Sequence, residues 1–346
     1  MLILCEIPWF SGLSHYALDV AEFLRRKRAE VCWAAEKGTP LWKMIEEKNF
    51  RLIPLKSRRA LYFFHNLSSI KTYFRDTKPS LILSFTGSGL LLGAFLKRFW
   101  GPPLFRFRTE SPGLKRNLFN KKLYGMCDGI VAGNKAIREE IVSFGFPGVR
   151  LLYAGVDLRR FSVKPLPSRF SLGYLGRLDR IKGLDVLWKA MNIVWQKNPD
   201  LLLRIAGKEE YYKWEEIRSN FRGPVEYMGF ISSDDVPGFL SGSTMGIVPS
   251  TGSEATSRVL LEWRASGRGV IASRVGMLGE VIEEGKDGIL VSPGDHVSLA
   301  DSILRAAGAP SFSETAGRAG RMRVEEEFSI EAFEDKLEKI IGKYAV

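Results

Sequence analysis

The sequence is poor in the side chains that build disulfide bonds and catalytic metal centres. Its 346 residues include only three cysteines and three histidines. Cys5, Cys32 and Cys127 are odd in number, widely spaced and set in apolar runs, a pattern that fits neither a disulfide framework nor a zinc site. We therefore expect reduced core cysteines, as in a cytoplasmic protein, and no His/Cys metal centre.

The sequence shows neither the pattern that predicts a leader peptide nor a long uninterrupted apolar segment. The opening run MLILCEIPWF has no basic flank and is interrupted by Glu6 and Pro8, so it does not predict a cleavable signal peptide. Residues 79–96 carry no charge and are almost numerous enough to span a bilayer. Their central Thr-Gly-Ser-Gly predicts instead a buried strand, a tight loop and an apolar helix. We expect no transmembrane segment.

Acidic residues are scarce in the first part of the chain. Residues 1–160 hold 27 Lys and Arg against 13 Asp and Glu, a net charge of +14, and the remainder holds 24 against 26, a net of −2. The basic clusters are 25–28, 56/58/59, 97/98, 106/108, 115/116 and 121/122, and the aromatics among them are Tyr62, Phe63, Phe64, Phe99, Trp100, Phe105 and Phe107. This pattern is typical of a surface for nucleic acid or an anionic membrane. The alternative is a solvated surface that serves solubility only, and charge does not choose among the three.

The composition, 45% hydrophobic and 26% charged, is that of a globular protein, and the length suits two domains. Short apolar runs alternate with helical patterns, which predicts parallel sheets with crossover helices. Predicted strands are 2–7, 31–35, 81–85, 104–107 and 129–132 in the first half, and 171–174, 201–206, 245–248, 270–272 and 288–291 in the second. Predicted helices are 14–28, 41–47, 90–98, 114–126, 134–144 and 183–196, followed by an amphipathic helix over 329–344 with Phe333, Leu337, Ile340 and Ile341 on one face.

The passage KPLPSRFS, between the two series of strands, marks the best domain boundary. We predict an α/β fold of two Rossmann-like αβα domains, residues 1–156 and 157–327, facing each other across a cleft. Ligands of such folds bind beyond the carboxyl ends of the strands.

Two glutamates mark the segment with the strongest functional signal, residues 249–273. Glu254 lies in a Ser/Thr/Gly loop after an apolar run, and Glu262 lies in a helical pattern that ends at Gly267. Both can face a ligand at the start of that helix, where unpaired amides and the macrodipole attract anions. This geometry suits a ligand with phosphate and hydroxyl groups, such as a sugar nucleotide.

Further candidates follow other predicted strands. Arg177 and Lys182, in GRLDRIKG, place two cations in one short loop, which suits a diphosphate. Gly12, in SGLSHY, allows amides to approach phosphate closely, although any strand-to-helix turn favours glycine. Two residues stay open between a site role and an ordinary one: His15 and Glu280.

These motifs resemble those of retaining glycosyltransferases with the GT-B fold, specifically glycosyltransferase family 4. The resemblance rests on LGRLDRIKGLDVLWKA, VEYMGFISSDDVPGFLSGSTMGIVPS, the two-glutamate segment and GKDGILVSPGD, with weaker similarity in SGLSHYALDVAEFL, CDGIVAGNKAIREEI and AGVDLRRF. It implies an acceptor-binding first domain and a second domain that binds a nucleotide sugar. It also implies that residues 328–346 form a helix packing back on the first domain.

The resemblance assigns roles to the motif residues. Arg177 and Lys182 would bind the diphosphate and stabilise the leaving group, and Glu254 would accept hydrogen bonds from the donor sugar; these three are the expected catalytic residues. Glu262 would hold the ribose hydroxyls. The other expected donor-binding residues are Gly12, Met228, Phe230 and, through their amides, Thr256, Ser257 and Arg258.

The sequence departs from the family pattern most clearly in the first domain. Many members carry a histidine after the strand 81–85 that contacts the donor sugar, and this chain has Thr86 there. Arg108 and Glu110, after the next strand, are candidate substitutes; with His15 and Thr86 they form the acceptor-side candidates. An inactive, binding-only homologue therefore remains an alternative. Departures in the second domain are Thr256-Ser257 for a bulky residue and glycine, Trp263 for a small residue, Gly269 for proline, and Lys208 near the base.

The sequence thus predicts a cytoplasmic, retaining hexosyltransferase that uses a UDP-, GDP- or ADP-sugar without metal or cofactor, since no Asp-x-Asp is present to bridge one. The basic first domain predicts a phosphorylated or lipid-linked acceptor of a cell-envelope glycan and peripheral binding to the anionic inner face of a membrane. The alternatives are a sugar-nucleotide epimerase of similar fold and a basic nucleic-acid-binding protein. The paired glutamates count against nucleic acid because they repel a polyanion.

Overall fold

The structure, a computed structural model, describes residues 1–9, 11–56, 60–110, 113–252 and 254–344. It contains two compact units, Met1–Ala154 with Phe333–Val346, and Gly155–Ala332. The sequence predicts boundaries after residues 156 and 327, within a few residues of these limits. Each unit has a sheet and a hydrophobic core of its own.

The described residues of the first unit form a seven-stranded parallel sheet in the order β3-β2-β1-β4-β5-β6-β7. The strands are β1 (Leu2–Leu4), β2 (Cys32–Glu36), β3 (Arg51–Leu55), β4 (Ile82–Ser84), β5 (Leu104–Arg108), β6 (Gly129–Ala132) and β7 (Arg150–Leu151). The helices that follow them are α1 (Gly12–Arg26), α2 (Pro40–Glu47), α3 (Phe63–Thr77), α4 (Gly87–Trp100), α5 (Leu118–Gly125) and α6 (Lys135–Ser143).

The second unit is built on a six-stranded parallel sheet in the order β10-β9-β8-β11-β12-β13. Its strands are β8 (Ser171–Leu175), β9 (Leu202–Ala206), β10 (Val225–Tyr227), β11 (Met245–Val248), β12 (Gly269–Ser273) and β13 (Gly288–Val291). The helices are α7 (Leu184–Lys197), α8 (Trp214–Ile217), α9 (Val236–Ser241), α10 (Arg258–Ala265), α11 (Gly276–Val281), α12 (His296–Ala307), α13 (Pro310–Arg323) and α14 (Ile330–Ile341), the last running into the first unit.

Both sheets reverse their strand order at one place, between β1 and β4 in the first unit and between β8 and β11 in the second. At such a switch point the loops after the two strands diverge to opposite faces and leave a crevice at the carboxyl edge, where ligands of doubly wound sheets bind. The predicted α/β class with two Rossmann-like units is confirmed.

Tight packing between β8, β11 and α10 accounts for an unusual tryptophan. Trp263 is fully buried, and a Cβ atom on either Gly173 or Gly246 would come within 2.4 Å of its ring. Glycines on two neighbouring strands therefore make room for this large side chain.

The sequence prediction misses several elements. It omits the edge strands β3, β7 and β10. The edge position allows β3 to contain Pro54, although proline cannot donate to the ladder. It also omits α3, α8, α9, α11, α12 and α13. It starts the fifth helix too early, because Asn117 caps α5 by accepting from the Asn120 amide at 2.8 Å, and it extends the first strand beyond Leu4.

The uncharged segment 79–96 folds as predicted, with β4 followed by α4. Within the described ranges, no helix combines the length and apolarity needed to cross a membrane. Cys5 and Cys32 are buried and Cys127 is partly buried, all with free thiols. The apolar face predicted for the last helix is buried in α14.

Candidate functional site

An ion pair at the switch point of the second unit joins two of the predicted catalytic residues. Lys182 follows β8 and Glu254 follows β11, and Lys182 Nζ lies 2.6 Å from Glu254 Oε1. The Ser250 hydroxyl donates to the same oxygen at 2.6 Å. The glutamate side chain is 5% exposed and the lysine 26%, so the lysine is the member more open to a ligand.

The backbone around Lys182 is held in one conformation. Gly183 has φ +73, and a Cβ atom there would lie 1.9 Å from the Pro249 carbonyl oxygen. The Thr251 amide donates to the Ile181 carbonyl at 2.9 Å, which ties the two loops together. Asp179 accepts from the Ile181 amide at 2.9 Å. These contacts fix the position from which the lysine side chain extends.

Glu254 is anchored from the opposite side by the start of α11. The Met277 amide donates to the Glu254 carbonyl at 2.8 Å. Gly276 has φ +48, and a Cβ atom there would lie 2.4 Å from the same carbonyl oxygen. The loop after β12 therefore supports the glutamate backbone, while Lys182 and Ser250 orient its carboxylate.

The start of α10, between the two glutamates, is suited to bind an anion. Ser257 is the N-cap residue but makes no side-chain capping bond, and its buried hydroxyl lacks a hydrogen-bond partner among the residues that the structure describes. Thr256 is also buried. The first amides of an uncapped helix attract phosphate oxygens.

Glu262 lies on α10, two turns after the loop that holds Glu254. Its carboxylate is 3.7 Å from Arg258 Nε, and its side chain is 13% exposed. Burial raises the pKa of Glu262, and the charges of Arg258 and Arg160 partly oppose this effect. The Arg258 side chain therefore lies beside Glu262, the residue expected to hold the ribose hydroxyls. The sequence predicted a role only for the Arg258 amide, not for its side chain.

The remaining donor-side candidates lie at the same carboxyl edge but are more exposed. Arg177 is 48% exposed, and its guanidinium is 3.3 Å from Asp179 and 3.9 Å from Glu210. Met228 and Phe230 follow the edge strand β10 and are exposed. No contact joins these three to the Lys182–Glu254 pair in the described chain.

The first unit carries a buried carboxylate at its own switch point, and the sequence reasoning missed it. Glu6 follows β1 and is fully buried; Thr86, the N-cap of α4, donates to Glu6 Oε2 at 2.6 Å and accepts from the Gly89 amide at 2.9 Å. Burial raises the pKa of Glu6, against the opposing hydrogen bonds from Thr86 and Ser88. The available signal was an acid at the end of an apolar strand, which the sequence analysis used only to argue against a signal peptide.

The other first-unit candidates are engaged in local structure. Arg108 is buried and lies 2.9 Å from Glu140 on α6, and Glu110 pairs with Arg106. Both arginines are therefore interior residues, and the expectation that cluster 106/108 forms part of a basic surface is wrong. His15 is half-buried on α1. Arg58 and Arg59 of another cluster lie outside the described residues.

Gly12 is the first residue of α1, but a capping box already occupies part of that helix start. The Ser14 amide donates to the Ser11 hydroxyl at 3.4 Å, and the Ser11 amide donates to the Ser14 hydroxyl at 2.8 Å. A phosphate at this position would therefore rely on the amides of Gly12 and Leu13.

Replacing Glu6 by Gln should stabilise the protein increasingly as the pH rises. The unfolded carboxyl ionises above about pH 4, whereas burial holds the pKa of the folded group higher. The wild type therefore loses stability between those two values, and the neutral glutamine does not. Urea unfolding of both proteins at pH 4 and pH 8 measures the difference. A difference that is the same at both pH values would contradict a raised pKa of Glu6 in the folded protein.

The fold defined by these two sheets is that of GT-B proteins. The structure matches Anabaena HepE, solved with UDP and glucose, with a TM-score of 0.82 and 17% identity over 99% of both chains. It matches the lipopolysaccharide outer core galactosyltransferase WaaB with a TM-score of 0.77 and 16% identity, again over 99% of both chains.

Family models then identify the chain more closely. The model "Glycosyltransferase Family 4" matches residues 10–160, and "Glycosyl transferases group 1" matches residues 169–308. The chain is also 22% identical to the capsular polysaccharide biosynthesis glycosyltransferase CapM of Staphylococcus aureus, over 93% of this chain and 92% of that protein. This chain belongs to glycosyltransferase family 4 and is a nucleotide-sugar glycosyltransferase.

Proposed function

We propose that the protein is a retaining, metal-independent hexosyltransferase that takes a hexose from a nucleoside diphosphate. The Lys182–Glu254 pair carries this proposal, because it places a cation and a hydroxyl-binding carboxylate in contact at the switch point where ligands of this fold bind. HepE, which shares the fold, was solved with UDP-glucose, and this supports a UDP-hexose as the first donor to test.

Each donor-side residue has a chemical task in this proposal. Lys182, assisted by Arg177, binds the diphosphate as a fixed positive charge. The amides at the start of α10, from Thr256 to Arg258, bind the distal phosphate. Glu254 accepts hydrogen bonds from sugar hydroxyls, and Glu262 accepts them from the ribose. Gly12 would bring amides of the first unit to the phosphates, and Met228 and Phe230 would lie beside the base.

The reaction follows from where charge develops. The bond between the anomeric carbon and the phosphate oxygen breaks, and its electron pair stays on the diphosphate. The acceptor hydroxyl oxygen bonds to the anomeric carbon on the same face, and its proton passes to the departing phosphate oxygen. Positive groups aimed at the diphosphate lower the barrier because they stabilise that negative charge without reorganising.

For the acceptor, we propose a phosphorylated or lipid-linked glycan bound by the first unit. The net charge of +14 over residues 1–160 supports an anionic acceptor. Thr86 is the residue best placed to contact a sugar, since it lies at the switch point of this unit and Glu6 orients its hydroxyl. His15, Arg108 and Glu110 remain weaker candidates.

Glu262→Ala should weaken donor binding by about 10- to 100-fold, because hydrogen bonds to a charged acceptor contribute about 1.5–3 kcal/mol. Thermal-shift and calorimetric titrations with UDP, GDP, ADP and their hexoses measure the effect. The control is Glu215→Ala, which removes an exposed carboxylate of the same unit. Failure of all these ligands to bind the wild type would overturn the donor site, and conversion of the donor without an acceptor would indicate an epimerase.

A further inference from the structure

Helices α3 and α4 of the first unit carry large apolar side chains that point into solvent. Leu61, in the short turn that precedes α3, is 84% exposed, Phe64 on α3 is 78% exposed, and Phe99 on α4 is 63% exposed. Trp100, at the end of α4, is also exposed. Single exposed apolar residues are ordinary, but several on adjoining elements mark an interaction surface.

These side chains belong to one continuous aromatic surface. Phe63, the first residue of α3, connects the two helices, because its ring centroid lies 5.4 Å from that of Phe64 and 5.8 Å from that of Phe95 on α4. Phe95 lies 4.5 Å from Phe99, which lies 6.1 Å from Trp100. We call this set, with Leu61, the α3–α4 surface.

A shallow groove runs through the α3–α4 surface and is partly basic. Phe64, Leu67, Ser68, Lys71, Phe95, Phe99 and Trp100 line it. Arg98 is exposed beside Phe99, and neither Lys71 nor Arg98 takes part in an ion pair within the described ranges. An aromatic groove that contains an unpaired cation favours a ligand with both apolar and anionic parts.

The neighbouring helix α5 adds further basic and apolar residues to this side of the unit. The three helices α3, α4 and α5 together contain six Lys and Arg and one acid, Asp76. Arg75 pairs with Asp76 and Lys97 pairs with Asp128, so four of the six cations stand outside the ion pairs of the described residues. Leu118 and Phe119 on α5 are exposed as well. Basic residues are attracted to the surface of an anionic bilayer, and exposed aromatic side chains are suited to its headgroup region.

We propose that the α3–α4 surface docks the protein on an anionic lipid bilayer, with Leu61, Phe64 and Phe99 entering the headgroup region and Lys71 and Arg98 contacting lipid phosphates. Docking goes beyond the transfer reaction, which a protein in solution would also perform on a soluble acceptor. A second copy of the chain is a poorer occupant of this surface, because it would bring the unpaired cations Lys71 and Arg98 of two like surfaces together, and they repel each other.

Vesicle flotation tests the proposal. The wild type should float with phosphatidylcholine vesicles that contain 30% phosphatidylglycerol and should not float with phosphatidylcholine alone. Phe64→Ser combined with Phe99→Ser should reduce the bound fraction at least tenfold, and Lys71→Glu combined with Arg98→Glu should do the same. The matched control is Val297→Ser with Met322→Ser, two exposed apolar residues of the second unit, which should leave flotation unchanged.

Three results would overturn the docking proposal. The first is a wild type that fails to float, and the second is flotation that neither surface variant changes. The third is a wild-type protein that is a dimer in solution, with Phe64→Ser/Phe99→Ser a monomer and Lys71→Glu/Arg98→Glu still a dimer. Salt-sensitive binding to single-stranded DNA in preference to vesicles would assign the surface to nucleic acid instead. Thermal shift with UDP-hexose should be equal in the wild type and both surface variants. That readout separates a failure of docking from a failure of the donor site.

Discussion

Lys182→Met is expected to lower kcat by about 100- to 1,000-fold, because removal of one fixed charge-stabilising donor from an active site has that effect. Lys182 is the group best placed for this task, being partly exposed and 2.6 Å from the buried Glu254. The rate of hexose transfer from the active donor, measured at saturating donor and acceptor, tests the expectation.

Two companion variants make the Lys182 result specific. Lys189→Met removes an exposed lysine on α7 of the same unit and should leave kcat unchanged. Lys182→Met also leaves Glu254 with Ser250 as its remaining side-chain partner, so the variant loses stability; Glu254→Gln added to it should restore stability but not activity. A folded Lys182→Met protein with near wild-type kcat would remove the lysine from the mechanism.

Gly183→Ala is expected to cost about 2–5 kcal/mol of folding free energy. An alanine in the left-handed region costs about 1–2 kcal/mol, and overpacking adds about 1–3 kcal/mol. Here the new methyl group would lie 1.9 Å from the Pro249 carbonyl oxygen. The loops after β8 and β11 would have to separate, which would also displace Lys182. Urea unfolding monitored by tryptophan fluorescence gives the free energy.

Gly285→Ala is the matched control for the contact with Pro249. Gly285 lies in the same unit with φ +76, close to the +73 of Gly183. A Cβ atom there would meet no other part of the described chain within 4 Å, apart from the two neighbouring residues. It should therefore cost only the conformational part, about 1–2 kcal/mol. Equal losses for the two variants would show that the packing of the two loops does not determine where Lys182 stands.

Local patterns in the sequence were sufficient to predict the central strands and to suggest donor-side residues, which stay predictions. Buried strands such as β11 appear in the sequence as continuous apolar runs, and the loops that follow them are rich in Gly, Ser and Thr. Residues 245–254 could therefore be interpreted without a structure. The pairing of Lys182 with Glu254 could not be predicted in the same way, because 72 residues separate them and strand order alone brings their loops together.

Other features depend on long-range contacts that no local pattern reveals. Trp263 fits only because Gly173 and Gly246 lie on adjacent strands. In the sequence, Glu6 only interrupts an apolar run. Its partner becomes visible in the fold, where β1 pairs with β4 and the Thr86 hydroxyl donates to the Glu6 carboxylate. The arginines of cluster 106/108 read as surface charge, but β5 is covered on both faces and buries them. In each case, the sequence does not show which distant residue will pack against the side chain in the folded protein.

If Lys182 binds the diphosphate and Glu254 binds the sugar, as we propose, their ion pair would link the recognition of two parts of the donor. A bound diphosphate would draw the ammonium away from a carboxylate that is almost fully buried, and an uncompensated buried carboxylate is costly. Sugar hydroxyls donating to Glu254 would offset that cost, so each half of the donor strengthens the binding of the other. Once the hexose has left, the bare diphosphate competes with Glu254 for the same cation. The ion pair would therefore favour binding of the intact donor and release of the nucleoside diphosphate product.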